Sequence, residues 1–276
     1  MNKAIFVLLD ACRYDAATAY AGYLEHLVAQ GKGARYKVKG EVPSMSRPMY
    51  ETLMTGLVPA QHGIATNQTV RRSSRPNVFS LCRAAGGCTG AAAYHWYSDL
   101  YANSPFDHTT DRYQLSGNGD IEHGIYYFED HYPDTHLFMD GDHLRRTYAP
   151  DFLLIHSMNI DDQGHRHGGD SMEYAGAVMY ATELIALFLD EWLRDGYQVV
   201  VSADHGMDHF GLHAGTTEAQ RMVPLYIFSP LCAGGVYADR EISQLNVAPL
   251  LCRLLGIAPA DGMLQHMDIQ LAGTAE

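Results

Sequence analysis

KAIFVLLD (residues 3–10) is an apolar run of strand length that ends on an aspartate. FLLIHSMNID (152–161) and VVVSAD (199–204) repeat this pattern later in the chain. In an open α/β sheet, ligands bind at the carboxyl ends of the parallel strands, so acids that follow three such strands can converge on one crevice. The three runs therefore predict a parallel sheet with a polar site at its carboxyl edge.

Histidines accompany two of these aspartates. Asp161 and His165 are four residues apart, a spacing that places both side chains on one face of a helical turn. Asp204 is followed directly by His205. Carboxylates and imidazoles are ligands that zinc and manganese accept, so the pattern predicts a site for divalent cations.

Short apolar runs alternate with segments of helical periodicity along most of the chain. Helices are predicted over 14–30 and 171–195, and a further strand over 223–229. This alternation predicts an α/β fold, with a doubly wound and mostly parallel sheet sandwiched by helices. At 276 residues the chain is predicted to form a single domain, residues 1–276.

Residues 94–150 interrupt the alternation. Seven of the eighteen tyrosines lie between Tyr94 and Tyr132, and no long periodic run is evident. Long irregular insertions in compact domains are often lids or binding loops, so we predict a Tyr/His-rich irregular insertion near the substrate site. A surface excursion packed on its own side chains is the alternative.

Composition limits the class of protein. Apolar residues make up 47% and charged residues 18%, which is typical of a soluble globular protein. The net charge of −13 argues against nonspecific binding to nucleic acid or to an anionic membrane. The N-terminal run has too few apolar residues for a signal peptide, and the five cysteines contain no C-x-x-C, so a cytoplasmic protein with reduced thiols is expected.

Ser46 supplies a candidate nucleophile. It lies where a loop leads into a helix with Pro48 in its first turn, so free backbone N–H groups beside its hydroxyl would favour an anion. A serine hydroxyl is a poor nucleophile at neutral pH, and a bound divalent cation activates it by lowering its pKa. Serine and two cations together favour in-line displacement at phosphorus.

An ordered set of motifs resembles the alkaline phosphatase superfamily, most closely its type I phosphodiesterase and nucleotide pyrophosphatase family. That family's nucleophile segment runs T-x-P-N, V-T-G, then H-G-I and an asparagine. The matching segments here are Ser46-Arg47-Pro48, Leu53-Met54-Thr55-Gly56, Gln61-His62-Gly63-Ile64 and Asn67. The metal motifs follow in the family's order, as Asp161-x-x-Gly164-His165, Ser202-Ala203-Asp204-His205-Gly206-Met207 and His213-Ala214-Gly215.

The resemblance implies a set of site residues. One divalent metal ion would be held by Asp10, Ser46, Asp204 and His205, and a second by Asp161, His165 and His213. Zinc is the expected metal, with manganese as an alternative. Ser46 would be the nucleophile, and Asn67 would donate a hydrogen bond to a non-bridging phosphoryl oxygen. Neighbouring residues leave three positions open: Asp162 could replace Asp161, His167 could replace His165, and His209 could replace His213.

Arg47 departs from the family pattern. An aromatic residue often follows the nucleophile in nucleotide-cleaving relatives, and Met49 stands where an asparagine is expected. A guanidinium suits an additional anionic oxygen on the substrate, so we assign Arg47 a catalytic, substrate-binding role. The alternative is an outward-pointing Arg47 that pairs with Glu51, one helical turn on.

The predicted function is a metal-dependent phosphoric ester hydrolase of the phosphodiesterase or nucleotide pyrophosphatase type, acting on a small-molecule phosphate ester. The alternatives are a phosphomonoesterase or phosphonate hydrolase of the same superfamily, or a non-catalytic relative that binds metal or anions. Sulfatase chemistry needs a C/S-x-P-x-R signature, which Ser46-x-Pro48-Met49-Tyr50 does not supply. The motifs of nucleophile-elbow hydrolases, dinucleotide-binding folds and P-loop proteins are also missing from the sequence.

Overall fold

The computed structural model describes residues 1–117 and 119–272. They form a mixed α/β fold around one nine-stranded sheet. The strands are β1 (Lys3–Leu9), β2 (Ala34–Lys39), β3 (Thr89–Tyr94), β4 (Tyr113–Gln114), β5 (His123–Tyr127), β6 (Phe152–Ser157), β7 (Tyr197–Ser202), β8 (Met222–Phe228) and β9 (Gly235–Ser243).

Helices flank the sheet. They are α1 (Tyr14–Tyr20), α2 (Gly22–Ala29), α3 (Ser46–Thr55), α4 (Pro59–His62), α5 (Val78–Ala84), α6 (Trp96–Tyr101), α7 (Asp134–Tyr148), α8 (Asn159–His167), α9 (Met172–Arg194), α10 (Glu218–Arg221) and α11 (Val247–Leu255). One packed group contains α1, α2, α7, α8 and α9, and another contains α3, α5, α6 and α11. The helix predicted over 14–30 is divided at Ala21, whose ψ of 56° is not helical.

The sheet has the order β4-β5-β3-β6-β1-β7-β8-β2-β9. The five strands from β5 to β7 run parallel to one another, while β8 is antiparallel to both of its neighbours. The prediction of a mostly parallel sheet between helices is therefore confirmed. Strand β8, predicted from its apolar run alone, is antiparallel, because an apolar run indicates burial and not direction.

The register of the central strands places the predicted acids at one edge. Leu9 of β1 is opposite Ser157 of β6, and Leu8 is opposite Ser202 of β7, so the three strands end together. Nearly every residue of these strands is buried, which agrees with their continuous apolar runs.

Residues 94–150 are more regular than predicted. The segment adds β5 to the parallel part of the sheet and contains the 15-residue helix α7. The strand HGIYY of β5 is buried throughout, so its two tyrosines fill the core and do not form a surface excursion. Tyrosine has a high strand propensity, and this explains why a tyrosine-rich stretch of the segment forms a strand.

Helix α9 is long and apolar enough, by length and composition alone, to cross a membrane. Its face that carries Val178, Ile185, Leu189 and Trp192 is fully buried against the rest of the fold. This helix packs on β7 and on α1, α2, α7 and α8 through that face, as an amphipathic helix does.

Candidate active site

The predicted site residues lie at the carboxyl edge of the sheet. Asp10 follows β1, and Asp204 and His205 follow β7. Asp161 and His165 lie one turn apart on α8, which follows β6. After Asp10 the chain turns at Ala11, whose positive φ of 59° directs its N–H to Asp204 Oδ1 at 3.1 Å. This turn joins the ends of β1 and β7.

Asp10, Asp204 and His205 form the first cluster. Their potential ligand atoms lie within 4.8 Å of one another, and all three side chains are fully buried. His205 Nε2 is 3.2 Å from Asp204 Oδ2 and 3.5 Å from Asp10 Oδ1. Ser46 Oγ lies 3.1 Å from the same nitrogen, so the candidate nucleophile borders this cluster.

Asp161, His165 and His213 form the second cluster, again with potential ligand atoms within 4.8 Å of one another. His165 Nε2 is 3.3 Å from Asp161 Oδ2, and His213 Nε2 is 3.8 Å from Asp161 Oδ1. The rings of His205 and His213 stack with centroids 4.0 Å apart, so the two clusters adjoin.

The histidine rings are held in the tautomer that a metal ligand needs. His165 Nδ1 donates to the Gly211 carbonyl at 2.8 Å, His213 Nδ1 to the Ser44 carbonyl at 3.1 Å, and His205 Nδ1 to the Gly206 carbonyl at 3.0 Å. With Nδ1 engaged in this way, Nε2 is the atom that faces the carboxylates, and its lone pair would be the one that a bound cation takes. Backbone carbonyls orient metal-binding histidines in this way.

Among the described residues, three buried carboxylate oxygens have no hydrogen-bond partner: Asp10 Oδ1, Asp161 Oδ1 and Asp204 Oδ2. Each belongs to one of the two clusters. An unpaired buried oxygen of a carboxylate is costly, and a divalent cation in each cluster would satisfy all three. The donor set of oxygen and imidazole nitrogen fits zinc or manganese.

The pKa shifts of the cluster residues also favour the binding of cations. Burial, with the neighbouring carboxylates adding to it, raises the pKa of Asp10 and of Asp204 well above the ordinary value. Burial holds the pKa of His205 well below its ordinary value and keeps the ring neutral. In the second cluster the hydrogen bond to Asp161 raises the pKa of His165 to about 9. The closely spaced carboxylates thus favour positive charge, which a bound cation would also supply.

Ser46 is the first residue of α3, and its side chain is buried. Asn67 lies beside it, because Asn67 Oδ1 accepts the N–H of Arg47 at 3.0 Å. With its oxygen engaged, the Asn67 amide nitrogen is left as a donor. The arrangement puts a hydroxyl, an amide donor and a helix N-terminus at one corner, which suits a phosphoryl group.

Arg47 does not face solvent, and within the described residues it does not pair with Glu51, the alternative predicted contact. Its side chain is 2% exposed, its Nη2 donates to Asp99 Oδ2 at 3.1 Å, and its guanidinium lies 4.6 Å from the ring centroid of Trp96. Glu51 is engaged elsewhere, by Ser73 and Tyr101. Two further donors of the guanidinium, Nε and Nη1, are buried and have no hydrogen-bond partner among the described residues. Arg47 thus forms an internal ion pair, and its substrate-binding role stays a prediction.

Replacing Arg47 by methionine is expected to lower the free energy of unfolding by about 3–5 kcal/mol, because it leaves the buried Asp99 carboxylate uncompensated. Urea denaturation measures this. The control is the double variant Arg47→Met with Asp99→Asn, which removes the unpaired charge and should recover much of the loss. The double variant also tests the predicted substrate contact: a selective loss of activity on anionic phosphate esters would support it, and an unchanged preference between anionic and neutral esters would contradict it.

The three alternative metal ligands that the sequence left open lie outside the clusters. Asp162 pairs with Arg166 at 2.9 Å and accepts from Gln163. His167 is exposed at the end of α8, and His209 is exposed and stacks on Phe210. The structure thus brings together Asp161, His165 and His213, and not their neighbours.

Tyr50 and His156 contact the site, although neither is among the predicted site residues. Both donate to Asp10 Oδ2. Tyr50 lies one helical turn after Ser46, a spacing that could have indicated a shared face. His156 is the single polar ring within the apolar run of β6, which was a second signal.

Cys88, Glu122 and His123 form a further group with metal-binding side chains, near the starts of β3 and β5 and thus at the opposite edge of the sheet. Glu122 pairs with Arg83, and His123 Nδ1 donates to the Leu115 carbonyl at 2.6 Å. Within the described residues, none of the three side chains has a buried polar atom without a partner. The group therefore lacks the unpaired oxygens of the two clusters, and we assign no metal to it.

Curated relatives with similar sequences are transferases. The chain is 22% identical over 283 residues to the catalytic subunit of GPI ethanolamine phosphate transferase 3 from Mus musculus, covering 93% of this chain and 24% of the relative. The Homo sapiens protein is 24% identical over 299 residues, covering 100% of this chain and 26% of the relative. The chain thus spans about a quarter of the length of these relatives.

Solved structures with the same fold include murine ectonucleotide pyrophosphatase/phosphodiesterase 5 in complex with AMP. Its TM-score is 0.72 at 13% identity, covering 94% of this chain and 96% of that chain. Phosphonate monoester hydrolase from Silicibacter pomeroyi has a TM-score of 0.64 at 14% identity, covering 96% of this chain and 76% of that chain. At these identities the likeness establishes the alkaline phosphatase-like fold.

The family model for type I phosphodiesterase / nucleotide pyrophosphatase matches residues 4–98 and 83–223. These ranges include both clusters, Ser46 and Asn67, and together they cover most of the chain. The match agrees with the order of motifs along the sequence and with the geometry at the sheet edge. The chain belongs to the type I phosphodiesterase / nucleotide pyrophosphatase family.

Proposed function

We propose that this protein is a metal-dependent phosphoric ester hydrolase that uses Ser46 as its nucleophile. The observation that carries the proposal is the set of three unpaired buried carboxylate oxygens in two adjoining clusters, with Ser46 Oγ 3.1 Å from His205 Nε2 at the edge of one. A fold that kept these oxygens without a ligand would lose stability and gain nothing from them. A non-catalytic metal-binding relative would have no need of the serine.

The two clusters divide the cation ligands between them. Asp10, Asp204 and His205, with Ser46 Oγ, would hold one cation, and Asp161, His165 and His213 the other. When bound, two divalent cations lower the pKa of a hydroxyl and neutralise charge that develops on phosphoryl oxygens. Zinc is the metal we propose, because tetrahedral sites of histidine and carboxylate ligands are typical of it.

The protein residues position the reacting groups. Ser46 Oγ gives up its proton to water and attacks phosphorus, the ester P–O bond breaks, and the alcohol leaves with the electron pair of that bond and takes up a proton from water. Asn67 would donate to a non-bridging oxygen through its amide nitrogen, while its oxygen stays on the Arg47 N–H. Water then cleaves the phosphoserine ester, which restores the Ser46 hydroxyl and releases the phosphate product.

A second candidate differs only in the final acceptor. The curated relatives are named as ethanolamine phosphate transferases, so transfer of a phosphoryl group such as ethanolamine phosphate from Ser46 to an alcohol would use the same residues. Both candidates share the first step, because each begins with attack of Ser46 on a phosphoric ester. The two candidate functions differ in the second step, in which either water or an alcohol attacks the phosphorylated serine.

The ratio of hydrolysis product to transfer product distinguishes the two candidate functions. The metal-loaded protein is given a chromogenic phosphodiester with increasing concentrations of an alcohol such as glycerol. A hydrolase is expected to form mainly the free phosphate product at every alcohol concentration. A transferase should form the new ester in proportion to the alcohol, with release of the chromogenic alcohol accelerated if the second step limits the rate. Metal-loaded protein that cleaves none of a panel of phosphate monoesters, diesters and phosphonates would contradict both.

A further inference from the structure

The Asp10 carboxylate is held from the side opposite the metal cluster. It is fully buried, and its Oδ2 accepts hydrogen bonds from the Tyr50 hydroxyl and from His156 Nε2 at 3.0 Å. Its Oδ1 has no hydrogen bond and faces His205. One oxygen is therefore fixed by two donors, while the other is presented to the cluster.

The His156 ring is fixed in one tautomer. Its Nδ1 accepts the backbone N–H of Tyr94 at 3.3 Å, so Nε2 carries the proton and donates to Asp10. The Tyr127 hydroxyl donates to the His156 carbonyl at 2.7 Å. His156 therefore has contacts that keep its Nε2–H directed at the carboxylate.

Tyr50 links the same carboxylate to the nucleophile. It lies on α3, one helical turn after Ser46, so a single rigid helix carries both. Its ring stacks on Tyr97 with centroids 4.7 Å apart and meets the His156 ring edge-on at 4.9 Å. Tyr94, Tyr97 and Tyr127, which surround the pair, all come from the tyrosine-rich segment 94–150.

We propose that Tyr50 and His156 are positioning residues that set the orientation of Asp10 for the first metal cluster. The two donated hydrogen bonds fix the plane of the carboxylate and withdraw charge from Oδ2. The bond from Tyr50 also fixes the distance between α3 and the cluster, and hence the place of Ser46. The tyrosine-rich segment serves this site as a buried scaffold. The inference rests on the metal-binding part of the proposed function.

The test is a metal titration of chelator-stripped protein with Zn²⁺, followed by competition with a chromophoric chelator. Tyr50→Phe keeps the ring and its stacking but removes the donor. It is expected to weaken one of the two bound equivalents by about ten- to a hundredfold and to leave the other unchanged, because loss of a partner of a ligating carboxylate has effects of this size.

Tyr97→Phe is the matched control. Its hydroxyl is buried in the same aromatic cluster but has no hydrogen-bond partner in the described part of the chain, so its removal should leave both affinities within twofold of the wild type. His156→Leu should weaken the same equivalent as Tyr50→Phe, and His156→Gln, which can still offer an N–H near the Nε2 position, should recover part of the loss. Circular dichroism of the stripped proteins checks that each variant folds.

The outcomes separate this inference from the proposed function. Wild-type protein that binds two equivalents, with Tyr50→Phe and His156→Leu binding both as tightly, would overturn the positioning role alone. If Tyr50→Phe and Tyr97→Phe weaken Zn²⁺ binding equally, the effect comes from general packing and the positioning role is wrong. Wild-type protein that binds no Zn²⁺ or Mn²⁺ would overturn the proposed function and this inference with it.

Discussion

Ser46→Ala is expected to lower kcat on a phosphodiester by roughly a thousandfold or more, because it removes the atom that forms the covalent intermediate. The other six predicted metal ligands, Asp10, Asp161, His165, Asp204, His205 and His213, remain in the variant. It should therefore still bind two divalent cations, and its KM should change much less than its kcat. Steady-state kinetics and metal analysis of the same preparation measure both quantities.

Ser46→Thr is the informative companion variant. It keeps a hydroxyl at the first position of α3 and should retain far more activity than the alanine variant. A Ser46→Ala protein with kcat within tenfold of the wild type, and with its metals bound, would mean that water attacks phosphorus directly and that Ser46 is only a neighbour of the site.

Removal of the metals is expected to abolish activity and to destabilise the fold. Stripping leaves three unpaired carboxylate oxygens buried in adjoining clusters. Cations that bind only the folded state stabilise it by about 4 kcal/mol at a thousandfold excess over Kd. A chelator should therefore lower the midpoint of thermal unfolding, and added Zn²⁺ or Mn²⁺ should restore both the midpoint and the activity.

Asp204→Asn tests whether the buried carboxylates cause the loss of stability that follows metal removal. It removes one negative charge from the first cluster, so the stripped variant should be more stable than the stripped wild type. Added metal should raise its unfolding midpoint less than that of the wild type, and its activity should stay low. Wild-type protein whose midpoint does not respond to a chelator or to added cations would contradict the assignment of metals to these clusters.

Most members of the two candidate metal clusters can be predicted from the sequence, because their positions depend on strand ends. An apolar run that is buried on both faces indicates a central strand, and a polar residue directly after it must lie at the sheet edge. Asp10 and Asp204 are placed by this reasoning alone, and Asp161 and His165 by the helical spacing added to it. His213 follows no strand, and only the order of family motifs indicates it.

Other features depend on packing that a linear pattern does not contain. The sequence places Arg47 directly after the nucleophile, but no linear pattern indicates that Asp99 and Trp96, about fifty residues away, pack on its guanidinium. In the segment 94–150, Leu137, Phe138, Gly141 and Leu144 have the spacing of a buried helix face, a signal that the many polar residues of α7 obscure. His156 lies within an apolar run. Its partner, Asp10, follows β1, and only the pairing of β1 with β6 brings the two residues together.

The stereochemical course at phosphorus tests the covalent Ser46 pathway most directly. A phosphodiester made chiral by sulfur in one non-bridging position is cleaved by the metal-loaded protein in ¹⁸O-labelled water, and the configuration of the product is determined. Attack by Ser46 followed by attack of water comprises two in-line displacements, each with inversion, so the pathway predicts net retention. Net inversion would show a single displacement by water and would contradict the account.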